Sequence, residues 1–106
     1  METMLYKAMK HAIDLGNVDR AVIFRDPASG RYELMISFLR TEPRVHSRTF
    51  WLASQRGDVR RFKTIDSAYK VANELGLDEV RVIRDPVAEY RYEQGIIDER
   101  DSMRDA

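Results

Sequence analysis

The stretch RFKTIDSAYKVANELGLDEVRVIRDP, Arg61 to Pro86, decides the fold. It reads as strand, helix, glycine stop, strand. Thr64 or Asp66 can cap the helix start, and Ile65, Ala68, Ala72 and Leu75 fall at i, i+3, i+7 and i+10, one face of a helix turned to a core. Gly76 supplies the left-handed residue that ends a helix, and Leu77 is placed to fold back on Val71 or Ala72 in a Schellman stop. Val80 and Val82 then begin a strand.

Working outward, residues 3 to 15 have a helical stripe of Leu5, Ala8, Met9, Ala12 and Ile13, stopped by Gly16 and Asn17. Asp19 to Asp26 is rich in β-branched and aromatic residues. Pro27, Ser29 and Gly30 supply a turn before Arg31 to Arg40, which predicts a hairpin. In its second strand Tyr32, Leu34, Ile36 and Phe38 alternate with Arg31, Glu33, Met35 and Ser37, the period of a sheet buried on one side. Glu42 and Pro43 mark the next turn, Arg44 to Leu52 a third strand, and Val59 to Lys63 a short fourth. A repetition also runs through the chain. Leu15-Gly16 precedes Arg25-Asp26-Pro27 as Leu75-Gly76 precedes Arg84-Asp85-Pro86, with nine residues from Gly to Arg in one case and eight in the other. If that repetition is physical, both helices cover one sheet face and each leads into a strand of the sheet.

At 106 residues the chain has the length of one small domain with one core. A hydrophobic content of 43% with 34% charged residues is that of a soluble globular protein, and no apolar run approaches the roughly 20 residues that cross a membrane. Lysines and a histidine interrupt the apolar residues of the N-terminus, which therefore lacks the continuous segment of a secretory signal. The absence of cysteine removes disulfides, thiolate catalysis and cysteine-ligated metals. A cytoplasmic protein is expected.

The formal net charge is zero, but the charge is unevenly spread. Between Arg40 and Lys63 seven basic residues face two acids, whereas from Asp85 onward seven acids face three arginines. On the third strand Arg44, His46 and Arg48 share one parity, opposite Val45 and Trp51, and so stand in a row about 7 Å apart, a spacing that suits phosphates. Arg56, Arg60, Arg61 and Lys63 would extend that patch. DNA is thus one expected partner, bound through a basic sheet face. Phe50 and Leu52 share the parity of Arg48, which requires a bulge or a partly buried face. A second reading from another class is a homodimeric protein-interaction module. Its contact would use Met35, Leu39 and Trp51 on the sheet with Tyr90 and Ile97 of the tail, because a monomer rarely leaves such a patch open.

Catalysis finds little purchase. His11 and His46 lie on different elements, no serine sits in a nucleophile-elbow setting, and glycines 16, 30, 57, 76 and 95 form no phosphate loop. His11 with Asp14 makes two metal ligands at most, which is no site. No enzyme activity, cofactor or metal is expected.

The segment RRFKTIDSAYKVANELGLDEVRVI, about residues 60–84, resembles small accessory proteins of plasmids and mobile elements, some encoded near partition or stability genes. In these a strand ending in Phe-Lys-Thr enters a helix with an alanine–aliphatic stripe and a glycine stop. The resemblance implies a non-enzymatic regulatory or maintenance role and no active-site residue. The expected architecture is α+β: an antiparallel meander sheet of four to five strands with two helices on one face, in the order α-β-β-β-(β)-α-β. Residues 1–86 form this single domain, and 87–106 an acidic, partly helical or mobile tail.

Overall fold

A computed structural model describes residues 2–39 and 48–84. Its elements are β1 (Thr3–Met4), α1 (Tyr6–Asp14), β2 (Val18–Arg25), β3 (Tyr32–Phe38), β4 (Arg48–Leu52), α2 (Ile65–Glu74) and β5 (Arg81–Ile83). The class is α+β, with one five-stranded sheet in the order β1-β4-β3-β2-β5. Among the described residues no helix is long and apolar enough to cross a membrane.

The sheet is mixed, which corrects the expectation of an antiparallel meander. Its centre is the expected one, since β2 pairs antiparallel with β3 and β3 antiparallel with β4. Both flanking strands are parallel to their neighbours, β1 to β4 and β5 to β2. The cause is the helices. A helical crossover carries the chain back to the end of the sheet it left, so the strand after it runs parallel to the strand before it. Helix α1 connects β1 to β2 in this way and α2 connects β4 to β5. The repetition in the sequence is therefore two β-α-β crossovers, interleaved so that their first strands are neighbours and their second strands are neighbours. The Phe24–Ile83 register places the ends of the two second strands side by side.

The fourth expected strand, Val59 to Lys63, is a connector. It touches the sheet through two single bridges, Val59 to Ala53 and Phe62 to Tyr32, and crosses the ends of β4 and β3. Helix α1 also starts later than its stripe suggested. Residues 3 and 4 are drawn into the sheet edge, where the Trp51 N–H donates to the Glu2 carbonyl and the Ala53 N–H to that of Met4. That anchor sets the helix phase. Met9 and Ile13 are buried with Tyr6 packed beside them, while Leu5 and Ala8 face solvent.

Helix α2 follows its sequence closely. The Thr64 hydroxyl accepts the Ser67 N–H at 3.1 Å, satisfying one of the donors a helix start leaves open. At the other end the Gly76 N–H donates to Asn73 and the Leu77 N–H to Ala72, the two bonds of a Schellman stop. Ala68, Val71, Ala72 and Leu75 are buried, and the two alanines let the helix approach the sheet closely. They meet Met9 and Ile13 of α1 and Ala21, Ile23, Leu34, Ile36 and Leu52 of the sheet in one core, so both helices cover the same face. Val18 joins this core because the register shifts between Val18 and Arg20, an irregularity that turns Val18 to the side of Ala21 and Ile23.

Gly76 has φ +87 with nothing within 4 Å of an added Cβ, so a side chain there meets conformational cost and no clash. Gly76→Ala is expected to lower unfolding free energy by about 1–2 kcal/mol, measured by urea denaturation with an unchanged m-value.

Candidate interaction surface

Alternate residues of the strands point away from the helices and form a second face. The register arranges them in rows across the sheet. Arg20, Ser37 and Thr49 make one row; Arg81, Val22, Met35 and Trp51 the next; Ile83, Phe24 and Glu33 the third. The centre is apolar. Val22, Met35 and Ile83 form a second core with Phe24 and Trp51 packed against it, and the Phe24 and Trp51 rings meet edge to face at 6.2 Å. The two ends are polar. At one, the Ser37 and Thr49 hydroxyls are 2.9 Å apart and Arg20 Nε donates to Ser37 at 3.5 Å. At the other, Arg61 Nε lies 3.5 Å from a carboxylate oxygen of buried Glu33.

Of the residues expected to bind nucleic acid, Arg44 and His46 lie outside the described residues. Arg48 opens β4 on the helix side, 2.8 Å from Glu2 and stacked 5.1 Å over the Phe50 ring. No register shift separates β3 from β4, so Phe50 and Leu52 continue in phase with Arg48 and enter the main core. The partly buried face is what the strand adopts. Arg56 is exposed in the turn after Ala53, Arg60 stacks 4.9 Å over Phe62, Arg61 turns to Glu33 on the other face, and Lys63 is exposed before α2. The described cations thus occupy an edge and two faces, with Arg48 at the far end of β4 from the other four.

The expected protein-interface residues divide similarly. Met35 and Trp51 do stand together on the helix-free face. Leu39 is 49% exposed beyond the end of β3, and Tyr90 and Ile97 lie outside the described residues. Val22, Phe24 and Ile83 were not anticipated as part of this face. The signal was present in the unbroken apolar run Ala21-Val22-Ile23-Phe24, which suits a strand covered on both sides better than one with a wet face.

Two clefts flank the sheet. One of about 360 Å³ lies where both helices end, lined by Ile13, Gly16, Asp19, Asp78, Glu79 and Arg81 among others. A shallower one between Leu5, Tyr6, Lys7 and the 53–60 turn includes Arg60 and Glu74. His11 lines neither, and among the described residues no three potential metal ligands come together. Comparison with protein-family models, curated proteins and solved structures returned no significant match. The reading of this surface rests on its own chemistry.

The turn after β2 carries the charged corner beside Arg61. One Asp26 carboxylate oxygen accepts the Ala28 N–H and the other the Ser29 hydroxyl, each at 3.0 Å. The backbone bond from Ala28 chiefly, then the Ser29 bond, with a smaller contribution from the Arg61 charge, hold its pKa below the usual aspartate value against a small opposing desolvation. A carboxyl with a depressed folded pKa contributes stability that is present above its unfolded pKa and lost as pH falls through the folded one. Urea midpoints from about pH 6 to about pH 3 should therefore fall more steeply for the wild type than for Asp26→Asn, with the two curves converging at the acid end.

Proposed function

We propose that the chain is a small non-enzymatic interaction module whose helix-free sheet face, centred on Trp51, seats an amphipathic protein segment with acidic flanks. The observation that carries this reading is the single apolar patch of Val22, Phe24, Met35, Trp51 and Ile83, assembled from four strands, on the side of the sheet that carries neither described helix. Val22, Met35 and Ile83 form the buried floor of the patch, and the part-exposed pair Phe24 and Trp51 suits the anchor role that aromatics take in interfaces. Arginines 20 and 81 hold register positions on the same face, and Arg61 reaches it from the connector. Those charges favour a segment that brings carboxylates to its edges. The likeness of residues 60–84 to plasmid and mobile-element accessory proteins accords with a module that regulates through contacts.

The probe is a fluorescein-labelled peptide of residues 86–106, which has the required chemistry, titrated with the full-length protein. Saturable binding is expected, weakened at least about tenfold, or about 1.4 kcal/mol, by Trp51→Ala. Absence of saturation up to millimolar protein, or indifference to Trp51, would overturn the reading.

A second reading, nucleic-acid binding, is favoured by the five basic residues against one acid between Arg48 and Lys63, with Arg56 and Lys63 exposed. On that reading labelled duplex DNA binds with a steep salt dependence, and Arg56→Ala with Lys63→Ala each lower the log–log slope by about 0.9. Binding that ignores salt and both substitutions sinks it.

A further inference from the structure

Four of the five strands run one way. β1 is parallel to β4 and β5 to β2, and β3 alone opposes its neighbours, so the carboxyl ends of β1, β4, β2 and β5 lie at one end of the sheet. At that end Met4 leads into α1, the 26–31 turn joins β2 to β3, and the connector crosses from Ala53 to Tyr32 before entering α2. Both helices therefore begin there, and the partial positive charge of a helix start falls on that side of the layer.

The same end gathers cations that the chain leaves without partners. Lys7 stands in the first turn of α1, Arg56 in the turn after Ala53, Lys63 just before α2 and Arg31 just before β3, and all four are exposed. Among the described residues none of the four side chains holds an ion pair or a hydrogen bond. Arg60 stands between them, over Phe62, and lines one cleft with Lys7. The nearby Asp26 carboxylate is turned to Ala28 and Ser29 of its own turn. Elsewhere the arginines are engaged: Arg48 meets Glu2 at 2.8 Å, and Arg20 and Arg81 hold interactions of their own. The opposite end carries Asp14, Asp19, Asp78 and Glu79 beside both helix stops. A chain of zero formal charge is thus polarised from end to end.

We propose that this end of the sheet, rather than a sheet face, contacts the phosphodiester backbone of duplex nucleic acid through Lys7, Arg31, Arg56 and Lys63. This rests on the nucleic-acid reading above and deepens it. The fold brings in Lys7 and Arg31 from outside the basic window of the sequence and leaves out Arg48. With strands about 4.8 Å apart, the row from β1 to β3 and its turn spans about 10–15 Å, the rise of three to four nucleotides of one strand at about 3.4 Å each. Phosphodiesters repeat one charge at a fixed spacing and bind through charge alone, whereas a protein partner would need an aromatic or aliphatic anchor as well. Contacts of this kind position a duplex without reading its bases.

The test follows fluorescein-labelled duplex DNA by anisotropy with the full-length protein across a salt series. Lys7→Ala and Arg31→Ala are each expected to lower the log–log slope by about 0.9 with thermal unfolding unchanged, since neither side chain holds a contact. Arg48→Ala is expected to leave the slope as it was, and a duplex of scrambled sequence to bind alike. A slope that responds to Arg56→Ala and Lys63→Ala but to neither Lys7→Ala nor Arg31→Ala, or that falls equally with Arg48→Ala, overturns this surface and leaves the nucleic-acid reading standing. Absence of salt-sensitive binding to DNA overturns both, and binding to phosphatidylserine vesicles in its place would assign the same cations to a membrane surface.

Discussion

Strand β3 is hydrogen-bonded along both edges, to β2 and to β4, and buried on both sides. Leu34 and Ile36 sit under the helices while Met35 and Ser37 sit under the opposite face. A strand in this position has no wet side to fall back on, so every polar group on it needs a partner within the protein. Ser37 finds Thr49 and Arg20, and Glu33 finds Arg61. The rest of the architecture follows from satisfying both faces of one central strand: helices with small residues on one side, an aromatic layer on the other, and arginines where carboxylates or hydroxyls would be left alone.

The two crossovers meet that requirement economically. Each delivers one helix to the main core and one strand to the sheet, and the delivered strands β2 and β5 lie side by side in parallel register. Helix α1 touches α2 through Lys10, whose ammonium donates to the Glu74 carbonyl at the end of the second helix, where the partial negative charge of a helix terminus favours a cation. The paired glycine stops, Gly16 at φ +90 and Gly76 at φ +87, turn both chains toward the sheet at the same end of the layer and so frame the cleft lined by Asp19, Asp78 and Arg81.

What could be read from the sequence was local. The Thr64 cap, the Gly76–Leu77 stop and the alternation of Tyr32, Leu34, Ile36 and Phe38 depend on neighbours a few residues apart, and each formed as its pattern required. The parallel pairings were hidden because they join residues far apart in the chain, and β1, at two residues, is shorter than any periodicity can register. The helix-free face was half legible. Met35 and Trp51 were identified by parity, yet Ser37 and Glu33 passed for solvent-facing polar residues because a single strand's alternation does not show the partners that Thr49, Arg20 and Arg61 bring to them from other elements. The basic row was a matter of phase: Phe50 and Leu52 behind Arg48 already tied that parity to the core.

The short strand β1 guards an edge. Without it, β4 would present unpaired N–H and C=O groups to the outside, the template on which strands of other molecules assemble. Three residues close that template: Glu2 and Met4 accept the Trp51 and Ala53 N–H groups, Glu2 also takes Arg48, and the Thr3 hydroxyl donates to Gly57. These contacts bridge about half the length of the chain and are made by its first residues, so they carry a high loop-closure cost for few bonds and belong among the earliest to open. Protection of the β4 side of the sheet is thereby concentrated in a clasp of three residues, so an opening near Met4 alone lays that strand's edge bare while the buried centre stays intact.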